Sequence, residues 1–155
     1  LVMALLIGVG TRLVHSGFSL DTDEAFSSRV AALPFADAAM AALHDRSHPP
    51  LHLLVLHAWM RVFSESEFAA RALSVCAFAG FMLVAWRILR RYANGAVLAG
   101  AMLLLAVSPL YVYYGQMVRP YAFVMLSSAL VFERYLALAD APGDPWRRRT
   151  WAGAC

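Results

Sequence analysis

The chain has no lysine, and charged residues of every kind make up only 15% of its 155 positions. Its basic charge rests on arginines that no single face collects, so the excess marks no nucleic-acid surface and no nucleic-acid partner is expected. Cysteine is nearly absent too. Cys76 and Cys155 sit in or beside apolar runs, and two such residues cannot make a disulfide framework or a zinc site by spacing. No start methionine, basic leader or small-residue cleavage site opens the chain, so a signal peptide is not expected. It opens at Leu1 inside one apolar run and stops at Cys155 as another begins, which reads as the N-terminal part of a longer protein. Repeats, low-complexity tracts and flexible linkers are missing, and Ala-Pro-Gly-Asp-Pro at 141–145 reads as a turn.

What is present is apolar. The sequence is 61% hydrophobic with a mean hydropathy of +0.62, and a soluble domain of this size has too much surface for its volume to hide so much. The composition predicts an all-α, polytopic membrane bundle. Residues 1–15 read as a truncated first transmembrane helix with Arg12 near its outer end. Residues 25–44 mix apolar side chains with Arg29, Asp37 and His44, the pattern of a helix lying at an interface, and Pro34 breaks it in two. The stretch 49–63 is apolar, but a crossing needs about 20 such residues. Residues 68–89, 94–114 and 120–138 read as spans, and 147–155 as the start of the next. Between Arg91 and Arg119 there is no charged residue at all.

Loop charges predict the topology. Arg87, Arg90 and Arg91 follow one span and Arg147, Arg148 and Arg149 another, which puts both loops in the cytoplasm by the positive-inside rule. The stretches Ser64-Glu65-Ser66-Glu67 and Gln116 to Tyr121 are then external. Parity forbids 49–63 from crossing, so residues 16–67 form one external loop of interfacial or re-entrant helices. Glu133 and Arg134, at the inner end of their span, are expected to snorkel.

Three motifs stand out at the external side. Asp21-Thr22-Asp23-Glu24 puts three carboxylates in four residues. Asp21 with Glu24 reads as a capping box at a helix start, but one capping carboxylate suffices for that. The others suit a general base, a cation site or a partner for Arg. His48-Pro49-Pro50-Leu51 reads as proline in a first helical turn. His48 and His52 share a helical face, but two ligands fall short of a zinc set, so no metal is assigned and a divalent ion has no support beyond that pair. Gln116-Met117-Val118-Arg119-Pro120-Tyr121 follows Tyr111, Tyr113 and Tyr114, an aromatic belt in its plainest reading. Arg119 runs against the positive-inside rule there, and its planar guanidinium suits a bidentate phosphate contact. Arg46 and Arg71 are weaker candidates of the same kind.

Taken in order, Asp23-Glu24, His48-Pro49-Pro50-Leu51, Ser64-Glu65-Ser66-Glu67 leading to Arg71 and Ser74, Ser108-Pro109, and Gln116-x-x-Arg119-Pro120-Tyr121-Ala122 resemble the N-terminal module of GT-C-fold membrane glycosyltransferases. The families most alike are the protein O-mannosyltransferases and lipid A aminoarabinose transferases, and the resemblance covers residues 18–138. It implies an enzyme moving a sugar from a polyprenyl-phosphate donor to a glycan, lipid or protein acceptor on the outer side of the cell membrane. Asp23 is then the catalytic Asp of an Asp-Glu pair, acting as base with Glu24 orienting it or the acceptor, and His48, Arg119, Tyr121 and Arg71 lie toward the donor and its phosphate. Aminoarabinose transferases carry an Asp before the proline of the later loop, where this chain has Arg119. A cation near the donor phosphate is the implied difference. Phosphate is already a good leaving group, so the demands are a base for the acceptor hydroxyl and positive charge for the departing phosphate. In-line displacement inverts the anomeric centre. The fragment alone is expected to be inactive. Alternatives are a transporter or flippase subunit using the same Arg and acids, and a structural subunit whose acidic run only caps a helix.

Overall fold

The computed structural model describes residues 1–14, 20–45 and 49–139, and among these every regular element is an α-helix. Eight helices follow in order: α1 (Val2–Val14), α2 (Thr22–Ala32), α3 (Phe35–His44), α4 (Pro50–Val62), α5 (Glu67–Leu89), α6 (Gly95–Val107), α7 (Pro109–Gln116) and α8 (Tyr121–Ala139). Helices α5 and α8 are long and apolar enough to cross a membrane. At 1.5 Å per residue the 23 residues of α5 reach roughly 35 Å, more than the ~30 Å of a hydrocarbon core. The fold is that of an all-α membrane protein.

Chemistry at the ends explains where the helices start and bend. Ser66 caps α5 by accepting from the Ala69 amide at 3.2 Å, with Glu67 in its first turn and Arg87 in its last, as the helix dipole favours. Pro34 separates α2 from α3. Helices α6 and α7 together are apolar enough to form one span, but they meet at 54° across Ser108. Pro109 has no amide hydrogen and its ring blocks the preceding turn, so the helix breaks there. Helix α4 has 13 residues, about 20 Å, which is short for a crossing.

Helix α5 sits at the centre, touching α1, α4, α6, α7 and α8. On one side Phe78 and Met82 pack with Ala4 of α1 and with Met102 and Ala106 of α6. Nearer its start, Ala70 and Leu73 pack with Ala31 of α2, Leu56 and Met60 of α4, and Val118 of the α7–α8 connection. Helix α4 also closes the end of α2. His57 Nδ1 lies 2.8 Å from the Ala31 carbonyl, and Arg61 reaches the Ala32 and Leu33 carbonyls at 3.2 and 3.3 Å. A carbonyl only accepts, so Nδ1 carries the proton. These donors serve carbonyls that have no partner within their own helix.

Glu133 departs from the snorkelling expected of it. Its side chain is 4% exposed and takes a 2.8 Å bond from Arg87 Nε of α5, while Arg134 is exposed. The close packing of α5 against α8 brings Arg87 within bonding distance of the carboxylate, so pairing replaces reaching outward.

Candidate functional site

The site forms where the start of α2 meets the α7–α8 connection. Asp21 caps α2, its side chain accepting from the Thr22 amide at 2.7 Å while Glu24 accepts from the Asp21 amide at 3.1 Å. That capping box puts Asp23 and Glu24 in the first turn, at the positive end of the helix dipole. Successive helical residues point about 100° apart, and here the step divides the pair. Glu24, Ser27 and Ala31 are buried on the inward face, whereas Asp23 is exposed.

Glu24 is fully engaged. One oxygen takes a 3.1 Å bond from Arg71 Nη2 in α5, and the other takes the Val118 amide at 2.8 Å. Both side chains of the ion pair are more than nine-tenths buried. One turn along α5, Ser74 donates to the Met117 carbonyl at 2.6 Å, and the Arg119 amide donates to the same carbonyl at 2.8 Å. Val118 is fully buried in the core. The connection is thus pinned at Met117 and Val118, the two residues before Arg119, which directs that side chain toward α2. Arg119 Nη2 lies 3.3 Å from Asp23 Oδ2.

Of the residues singled out from sequence, Asp23, Glu24, Arg71 and Arg119 come together in one cluster. Arg71 is turned inward onto Glu24, not outward to an incoming group. Tyr121 begins α8 with its ring edge-on to Tyr114 at 4.7 Å. His48 and Arg46 lie outside the described residues. His52 is buried in α4, edge-on to Phe123 at 5.5 Å. Among the described residues no three His, Cys, Asp or Glu side chains gather as metal ligands.

An apolar groove runs along α8 from this end of the bundle. Tyr114 and Tyr121 flank its mouth, in a recess of about 250 Å³. Tyr111, Val124 and Met125 are shared with a larger recess of about 450 Å³ that continues to Ala129 and Phe132. Tyr121 follows Arg119 by two residues, so a residue lining the groove and the cation lie close to each other in the chain.

Sequence reasoning missed two supports. Ser74 was noticed only as part of a motif, but its spacing of three from Arg71 on one helical face was a usable signal. Arg12 read as a boundary residue, yet it is fully buried. Its guanidinium lies 3.4 Å from the centre of the Phe78 ring and donates to the Ala106 and Tyr111 carbonyls at 3.2 and 2.7 Å. Those carbonyls flank the α6–α7 break, so Arg12 ties its two sides together. No local pattern announces such a long-range contact.

A family model described as dolichyl-phosphate-mannose-protein mannosyltransferase matches residues 47–153. The match takes in Arg71, Ser74, Arg119 and Tyr121, while Asp23 and Glu24 precede it. No curated protein and no solved structure matches the chain.

Proposed function

The chain belongs to the dolichyl-phosphate-mannose-protein mannosyltransferase family, membrane glycosyltransferases of GT-C type, and from that premise we propose how its residues share the work. The donor is a polyprenyl-phosphate sugar, and the acceptor is a hydroxyl presented on the external or periplasmic face. That side is supported by Arg87, Arg90 and Arg91 at the opposite end of α5 from Glu24's partner Arg71, where the positive-inside rule puts the cytoplasm.

The observation that carries the reading is the meeting of Asp23 with Arg119 at 3.3 Å, between segments far apart in the chain. Asp23 takes the proton of the acceptor hydroxyl as its oxygen bonds to the anomeric carbon. The bond from that carbon to the phosphate oxygen breaks, and its electron pair leaves with the lipid phosphate. Attack from the opposite face inverts the anomeric centre. The leaving group gains a negative charge in this step, so a fixed cation stabilises the transition state more than the ground state. Arg119 is that cation. Glu24 and Arg71 hold the α2 start against the α7–α8 connection, and Tyr114 and Tyr121 guide the isoprenoid into the groove.

Asp23→Asn in the full-length protein is expected to lower transfer by about 10²- to 10⁴-fold, the usual worth of a general base. Sugar transfer from a polyprenyl-phosphate donor, assayed in detergent or liposomes, measures it. Near wild-type turnover rules out Asp23 as the base. Movement of the lipid-linked sugar across sealed vesicles without transfer to any acceptor would overturn the enzyme reading in favour of transport.

A further inference from the structure

The carboxylate assigned as base and the guanidinium assigned to the phosphate are bonded to each other at 3.3 Å. We propose that this pair is a latch which the donor phosphate opens, so that donor binding frees the base and precedes productive binding of the acceptor. The inference rests on the roles assigned above and adds the order in which they come into play.

The two partners are held very differently. Arg119 is anchored, since the two residues before it, Met117 and Val118, are bonded to Ser74 and Glu24 and its own side chain is only 13% exposed. Its Nε is buried with no hydrogen-bond partner among the described residues. The Asp23 side chain is 65% exposed and leaves the capping of α2 to Asp21. An ion pair with so much water around one member is worth about 0.2–1 kcal/mol. It forms readily and opens at little cost. A phosphate can engage two nitrogens of a guanidinium at once, a stronger arrangement than the single Asp23 contact. The anchored Arg119 therefore stays, and the exposed carboxylate is the member displaced. While Asp23 Oδ2 is engaged by Arg119 it is not turned to an acceptor hydroxyl, so release makes that oxygen available only when a donor is seated.

Binding of farnesyl phosphate, a short isoprenyl phosphate, to the full-length protein in detergent micelles tests the latch. Asp23→Asn removes the competitor for Arg119 and is expected to bind the probe up to about fivefold more tightly than wild type, the opening cost expressed as affinity. Asp21→Asn removes a carboxylate from the same cluster and keeps a good helix cap, and its affinity is expected to stay at the wild-type value. Equal gains in both variants would mean general charge repulsion and would overturn the latch. Unchanged or weaker binding by Asp23→Asn overturns it as well. The base assignment is judged separately: an inactive Asp23→Asn that binds no tighter sinks the latch alone, and an active one sinks the base.

Discussion

Asp23 and Glu24 are neighbours with opposite fates, because a single helical step turns one to solvent and the other onto Arg71 and the Val118 amide. The buried pair is expensive to half-remove. Glu24→Ala leaves the Arg71 guanidinium enclosed beside an empty space, and breaking a buried pair in this way costs about 3–5 kcal/mol. Thermal unfolding of the full-length protein in micelles is expected to show that loss, with Glu24→Ala/Arg71→Met recovering part of it. A single variant as stable as wild type would mean that the pair does not hold the loop. The division was partly legible. Glu24, Ser27 and Ala31 follow an i, i+3, i+7 spacing that defines one face, and Asp23 lies off it. Their partners were not legible, since nothing in α2 indicates that the Val118 amide lies across from it.

The bent pair α6–α7 decides where Arg119 emerges. Ser108-Pro109 was readable as a kink because proline lacks the amide that the helix needs. What holds the bend is Arg12, which bridges the Ala106 and Tyr111 carbonyls from α1. Gly115 permits this approach: a β-carbon there would sit 2.7 Å from Arg12 Nε and 2.9 Å from a ring carbon of Phe78. Both neighbours are fully buried, so neither can move aside freely. Gly115→Ala is expected to destabilise by about 1–3 kcal/mol, as overpacking does, and to reduce transfer by shifting the connection. An unfolding curve and an activity assay on the same preparation check both effects. Full activity with normal stability would show that the bend tolerates the change.

At the scale of the whole molecule, the apolar groove along α8 includes Tyr121, two residues after the Arg119 of the charged cluster. An isoprenyl phosphate has that same division between tail and head. Ala129 lines the part of the groove farther along α8 from Tyr121, so Ala129→Phe is expected to raise KM several-fold for a long-chain donor. A short-chain donor that does not reach so far should be little affected, and kcat should hold for both. Equal KM changes for the two donors would remove the groove from the lipid's path.

Composition alone determined the class of this protein, because so apolar a chain of this length has no way to fold in water and must satisfy its backbone in helices within lipid. The order of its short motifs was enough to name the family. Only the tertiary structure decided which faces meet. A soluble helix advertises its buried side by an apolar stripe, but α5 and α6 are apolar nearly all round, so their sequences do not say which side takes α8 or α1. The meeting of Asp23 with Arg119, the burial of Glu24 on Arg71 and the reach of Arg12 to the broken span all depend on that choice. Each is a contact between distant segments, set by packing that no local period records.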